Sequence, residues 1–152
     1  AADIEAGKVK SVLIVREDVT ACGLPASTLA KVRSVVLATH HDVTTAAAEI
    51  VLPVLSVFER SGTFVNCQFR LQAFAQAVPG PAGVLPDLLV LAKLAGADAT
   101  SIWSDLATNV PALADLNGAL LPAGGVQLDG AAWSAVPFPE GKLLKFAPVA
   151  QA

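Results

Sequence analysis

His40-His41-Asp42 is the most enzyme-like cluster in the chain. At a strand end, a histidine beside a carboxylate can pass protons or ligate a metal. No third ligand lies nearby in sequence, and no serine or cysteine sits in a nucleophile motif. The same stretch also reads as structure, because Asp42, Thr44 and Thr45 are all competent helix caps. Glu17-Asp18 follows an apolar run. A phosphoacceptor pocket built on it would want a lysine and a threonine at later strand ends; Thr39 is present, but a matching lysine is not. Cys22 and Cys67 are far apart and lack CxxC spacing, so alone they build neither a zinc nor an iron–sulfur site. They read as reduced residues packed as small hydrophobes. The densest collection of chemistry is "FERSGTFVNCQFRLQ", Phe58 to Gln72, with a Gly-Thr turn, an asparagine, a cysteine and an arginine within a few residues. Neither GxGxxG nor GxxxxGK[ST] occurs, which leaves nucleotide binding by a glycine-rich loop unsupported.

The elements that must position these residues alternate. "ADIEAGK" ends a helix at Gly7, and Val12 to Val15 is a strand buried on both faces. "PASTLAKVR" is a short helix starting near Pro25, "SVVLATHHD" a second strand, "VTTAAAE" a brief helix and "IVLPV" a third strand ended by Pro53. This order predicts an α/β fold: a Rossmann-like layered piece with a short parallel sheet flanked by helices, plus a Gly/Pro-rich C-terminal tail. "REDVT", "THHDVTT" and "PVLSVFERSGTF" then lie at the strand ends that commonly line a crevice. After Gly62, "TFVNCQFRLQAF" reads as a hairpin and "VPGPAG" as a turn. A helix spans about Pro86 to Leu94, with Asp87 in its first turn and Gly96 at its end. A second helix carries Ile102, Trp103, Leu106 and Ala107 on one stripe, and a third starts at Pro111 and stops at Gly118. "KLLKFAPV" fits an edge strand or an extended arm.

Apolar residues make up 54% of the 152 positions and charged ones 15%, against about a quarter charged in ordinary soluble domains. Alanine inflates the apolar share, and a surface covered by another element would do the same. No apolar run reaches the ~18 residues of a membrane helix. The N-terminus lacks the basic start and apolar core of a signal peptide. With a net charge of -3 and no basic patch, nucleic acid is excluded as an expected partner.

The stretch from Thr45 to Gly96 resembles the molybdopterin oxidoreductase superfamily. Thr45-Ala46, Val51-Leu52-Pro53, Gly62-Thr63-Phe64, Asn66, Arg70 and Gln72 match its pattern in order. With "AGKVKSVLIV" the likeness runs from about Lys8. Within the superfamily it looks most like the large iron–sulfur subunit of bacterial NADH–quinone oxidoreductase, respiratory complex I. The family has Glu-Gly before the arginine, whereas this chain has Gln68-Phe69; a glycine there lets the backbone approach a neighbour, and a phenylalanine adds bulk.

That resemblance implies a scaffold segment that is not itself catalytic. Its motif Gly62, Thr63, Phe64, Asn66 and Arg70 would be vestigial, with no cofactor or metal held here. Iron–sulfur clusters would lie in an N-terminal part of a longer polypeptide, of which this is a C-terminal piece. Residues 1–96 would be the α/β part of a molybdopterin-oxidoreductase-like domain, and residues 97–152 C-terminal helices and tail of the same unit. The expected partners are other parts of its own subunit and other subunits of the complex I peripheral arm. Its expected place is cytoplasmic, at the inner face of the cell membrane without insertion. In the loop, Thr63 and Asn66 are expected to hold the turn, and Arg70 to pair with Glu59. The alternatives are part of a true molybdopterin enzyme such as a formate dehydrogenase, with Thr63, Asn66 and Arg70 facing the pterin, or a stand-alone Rossmann-like module.

Overall fold

The computed structural model describes residues 1–116 and 121–130. A first helix, α1 (Ala2–Glu5), is followed by Gly7 at φ +67, where a glycine turns the chain without strain. Strand β1 (Ser11–Val15), helix α2 (Ala26–Leu29), strand β2 (Arg33–Ala38), helix α3 (Val43–Ala47) and strand β3 (Ile50–Pro53) follow in turn. The three strands form one parallel sheet in the order β1-β2-β3, as the alternating pattern predicts. Pro25 sits at the N-cap of α2, and Asp42 caps α3 through a reciprocal capping box with Thr45.

Register shows which face each side chain takes. Ile14 and Val36 share a row, and they form the core with Leu29 and Val32 from α2 and its exit. Ile4, Val9, Val12 and Ala47 pack against it, so the helices cover this face. On the opposite face Leu13, Val35 and Ile50 are aligned across the strands. Leu13 is 51% and Ile50 45% exposed, while Leu37, on the central strand, is fully buried. The sequence predicts strands covered on both faces. Among the described residues the second face is largely open, although such sheets ordinarily have both faces covered.

A second sheet contains the predicted hairpin. Strands β4 (Gly62–Val65) and β5 (Arg70–Phe74) pair antiparallel, and β6 (Val126–Gln127) adds to the other side of β5. A lone parallel bridge between Val54 and Leu85 ties the end of β3 to the approach of helix α4 (Asp87–Ala95). Gly96, at φ +64, ends that helix as a left-handed cap. Helix α5 (Ile102–Asn109) follows a 3-10 turn, and its predicted stripe is half-buried while Ser104, Asp105, Thr108 and Asn109 face solvent. The helix expected from Pro111 is only a 3-10 turn, Pro111–Leu113. Its expected stop at Gly118 and the "KLLKFAPV" arm lie outside the described residues. Among the described residues, no helix is long and apolar enough to cross a membrane.

Candidate functional site

The two sheets meet α4 around one carboxylate. Asp87 opens α4 behind Pro86, and its Oδ2 accepts a hydrogen bond from Arg16 Nη1 at 3.1 Å. Arg16 stands just past β1 at φ +58, an uncommon conformation for a residue with a side chain. The other oxygen of Asp87 lies 4.0 Å from Nε of Arg60. One carboxylate therefore faces two guanidiniums, and Arg16 takes the shorter contact. Arg60 is 15% exposed along its side chain, and its buried Nε has no hydrogen-bond partner among the described residues.

Arg60 instead lies over an aromatic ring. Its guanidinium carbon is 5.5 Å from the centroid of Phe74, which stacks on Phe64 at 4.9 Å. Such a cation–π contact is worth about 0.5–2 kcal/mol depending on desolvation. Gly62 passes beneath this ring, and a Cβ there would come within 3.0 Å of both the ring and the guanidinium. Together, Arg60, Gly62, Thr63, Phe74, Asp87 and Trp103 wall a cavity of about 660 Å³. Leu88, Leu89 and Leu91 add to the wall, so the cavity presents a largely apolar surface with two aromatic rings, and a polar corner where two guanidiniums outnumber one carboxylate, which suits a planar group carrying negative charge.

The loop residues singled out in the sequence divide between two places. Gly62 and Thr63 line the cavity, and Phe64 supports Phe74 from behind. Asn66 and Arg70 are at the hairpin tip. There the Phe69 N–H donates to the Asn66 carbonyl, and the Asn66 N–H to that of Arg70. This is a three-residue loop, a tight turn followed by a left-handed residue. Asn66 Oδ1 accepts from the N–H groups of Gln68 and Arg70 at 2.9 and 3.0 Å. Phe69 occupies the left-handed position at φ 59, where glycine is the usual choice. Its ring packs on Gly130 and on the side of Leu128, outside the cavity wall. The bulk at Phe69 therefore does not obstruct the cavity.

Two expected contacts are replaced. Arg70 Nη1 donates to the carbonyl of Gly124 at 3.0 Å instead of pairing with Glu59. It is drawn there because the segment carrying β6 runs alongside β5. Glu59 turns back to accept from the Ser56 N–H at 2.8 Å, and that contact, then the Ser56 hydroxyl, holds its carboxyl below the ordinary value. Thr63 makes no side-chain hydrogen bond among the described residues; it borders the cavity and takes no part in holding the turn.

The other clusters resolve as structure. Asp42 Oδ1 accepts from the Thr45 N–H at 2.7 Å, the cap reading of that stretch. His40 and His41 are exposed, and His40 Nδ1 lies 3.0 Å from the Thr39 hydroxyl. Among the described residues no three metal-binding side chains come together. Asp18 accepts from the hydroxyls of Thr20 and Thr44, each at 2.6 Å. The Thr20 hydroxyl, followed by that of Thr44, lowers its carboxyl from the ordinary range. Cys22 and Cys67 are free, but both are exposed rather than packed in the core. One sits in a loop after β1 and the other at the hairpin tip, and neither place is covered by the helices.

The profile of the family described as molybdopterin oxidoreductase matches residues 19–97. The chain belongs to this family. The matched stretch of this molybdopterin oxidoreductase chain contains Arg60, Gly62, Thr63, Phe74 and Asp87, and Trp103 lies beyond it. The chain is also 34% identical over 90 residues to the F420-dependent formate dehydrogenase 2 subunit alpha of Methanococcus maripaludis, covering 53% of this chain and 13% of that subunit. It therefore spans a small part of the length of that relative. Sequence reasoning missed Arg60 and Asp87 as a pair. The available signal was the placement of Arg60 just before Gly62-Thr63-Phe64, a cation next to the turn that the sequence singles out.

Proposed function

We propose that this chain forms part of a molybdopterin-dependent oxidoreductase of the formate-dehydrogenase kind, and that the cavity at Arg60 is its share of the cofactor pocket. The observation that carries this reading is the buried Arg60 Nε, which lacks a hydrogen-bond acceptor among the described residues at the wall of a roomy cavity. An N–H left so costs about 1–3 kcal/mol, and the guanidinium that carries it is incompletely paired where Arg60 borders the cavity. Gly62 adds to the fit, because a side chain there would intrude on Arg60 and Phe74. The likeness to a formate dehydrogenase subunit supports the same reading.

The residues present suit the pterin cofactor in kind. Arg60 would hold an anionic oxygen of it, Thr63 would offer a hydroxyl, and Phe74 and Trp103 would flank a planar ring. When bound, the group supplies two-electron redox chemistry. The chain's own part is to bind and orient. Arg16 engages Asp87, so Arg60 is left with charge to spare for a ligand. The apolar walls lower the local dielectric and strengthen that attraction.

A second reading is a pterin-free supporting segment in the large iron–sulfur subunit of complex I, cytoplasmic on the peripheral arm, packed against its own subunit and its neighbours, with the iron–sulfur clusters elsewhere in the polypeptide. One observation favours it. Asn66 and Arg70, two of the motif's polar residues, spend their hydrogen bonds on the hairpin tip and on Gly124. Metal and pterin analysis of the native protein separates the two. Molybdenum or tungsten with a pterin, lost on Arg60→Ala, is the expected result; iron without pterin would overturn the first reading in favour of the second.

A further inference from the structure

Among the residues that wall the Arg60 cavity, Arg60 and Asp87 are the charged ones, and their charges cancel. The wall taken alone gives a ligand's negative charge no advantage. The excess of positive charge at this corner comes from Arg16, which binds Asp87 but is not part of the wall. A residue outside the cavity therefore decides the sign of the charge within it.

The backbone places Arg16 for this. Its N–H donates to the Leu37 carbonyl at 2.8 Å, continuing the pairing of β1 with β2. The chain then leaves the sheet at φ +58, a conformation that a residue with a side chain keeps only where its surroundings hold it. The guanidinium meets Asp87 Oδ2 at 3.1 Å, 71 residues further on. The other carboxylate oxygen, Oδ1, accepts from the Leu88 N–H at 2.9 Å. Both oxygens are thus engaged, and Arg60 Nε stays 4.0 Å away, beyond hydrogen-bond reach. Without Arg16, Oδ2 would lose its donor on a side chain that is only 16% exposed. Arg60 is the other cation beside it. A guanidinium and a carboxylate join readily through two parallel bonds, and that pairing would neutralise Arg60.

We propose that Arg16 sets the charge preference of this pocket: by occupying Asp87 it keeps Arg60 unpaired, so that the cavity takes an anionic planar ligand over a neutral one. Arg16 acts through Asp87 and is a positioning residue; its role rests on the reading of the Arg60 cavity as a pterin pocket. The test uses the full chain and two fluorescent probes, pterin-6-carboxylate and the neutral 6-hydroxymethylpterin. A second readout needs no ligand: the Nε–H proton resonance of Arg60, identified by its loss in Arg60→Lys. The parent should bind the carboxylate more tightly than the neutral probe. Arg16→Gln should lower that preference about tenfold, leave binding of the neutral probe unchanged, and move the Arg60 Nε–H resonance downfield as Asp87 takes it. Arg16→Lys should keep most of the preference. Arg16→Gln combined with Asp87→Asn should recover it, because no carboxylate is left to capture Arg60. Equal loss of both probes in Arg16→Gln, unrecovered in the double variant, would show a merely structural role and overturn the proposal. An Arg60 resonance that does not move, or a preference that survives Arg16→Gln, would overturn it while leaving the pocket reading intact. A parent that does not prefer the carboxylate would overturn the pocket reading and this proposal with it.

Discussion

Replacing Phe69 by glycine and, separately, by alanine separates the conformational cost of its left-handed backbone from the value of its ring. Both variants lose the same ring, so their difference depends on the backbone alone. At φ 59 an alanine bears about 1–2 kcal/mol of steric strain that glycine escapes. Against that, alanine gains about 0.4–1 kcal/mol because its unfolded chain has less freedom to lose. Phe69→Gly should therefore be the more stable of the two by about 0.5–1 kcal/mol. At an ordinary negative φ the order would reverse. The ring itself is half-buried; if about 100 Å² of it is covered, it contributes about 2.5 kcal/mol. Relief of strain offsets part of that loss, which leaves Phe69→Gly about 1–2 kcal/mol below the parent. Urea unfolding followed by circular dichroism gives all three stabilities. An alanine variant as stable as the glycine variant, or more so, would refute the left-handed assignment and the hairpin geometry built on it.

Asp87→Asn removes the carboxylate that Arg16 and Arg60 share and should cost about 1–3 kcal/mol in urea unfolding, less than a fully buried pair because these groups are partly exposed. The hydrogen bonds from Thr20 and Thr44 depress the Asp18 carboxyl, so its contribution is present above the unfolded value of about 3.9 and fades as pH falls below that toward the folded value. The gap in thermal midpoint between parent and Asp18→Asn should therefore be widest near neutrality and close in acid; a gap that widens in acid would contradict the assignment. The hydrogen bond from Cys22 to the Glu17 carboxylate raises its thiol, so Glu17→Gln should speed alkylation of Cys22 at mildly alkaline pH, as peptide mass spectrometry would show.

The parallel sheet is legible in the sequence because its determinants are local. "SVLIV", "RSVVLA" and "IVLP" are short apolar runs rich in β-branched residues, and each is set off by a cap or turn such as Pro25 or Asp42. The hairpin is legible for the same reason, and Asn66 as its organiser follows from the usual behaviour of asparagine in turns. The cavity is not legible. Arg16 and Asp87 are 71 residues apart, and no periodicity links the end of β1 to the start of α4. Nearness in sequence favours Glu59 as the partner of Arg70, whereas Gly124 comes close only through the pairing of β6 with β5. The bulk of Phe69 is visible in the sequence, but the direction of its ring depends on a positive φ that residue type alone argues against.

The open row of Leu13, Val35 and Ile50 bears on how this layer can change over time. A polar replacement at Leu13 or Ile50 would disturb little within the sheet, since both are already about half exposed. Within the described residues, then, the packing of the sheet places little constraint on either position. Leu13 and Ile50 should consequently drift freely unless an element outside the described residues packs on them, while Leu29 and Val36, buried together in the core, drift only in step with each other.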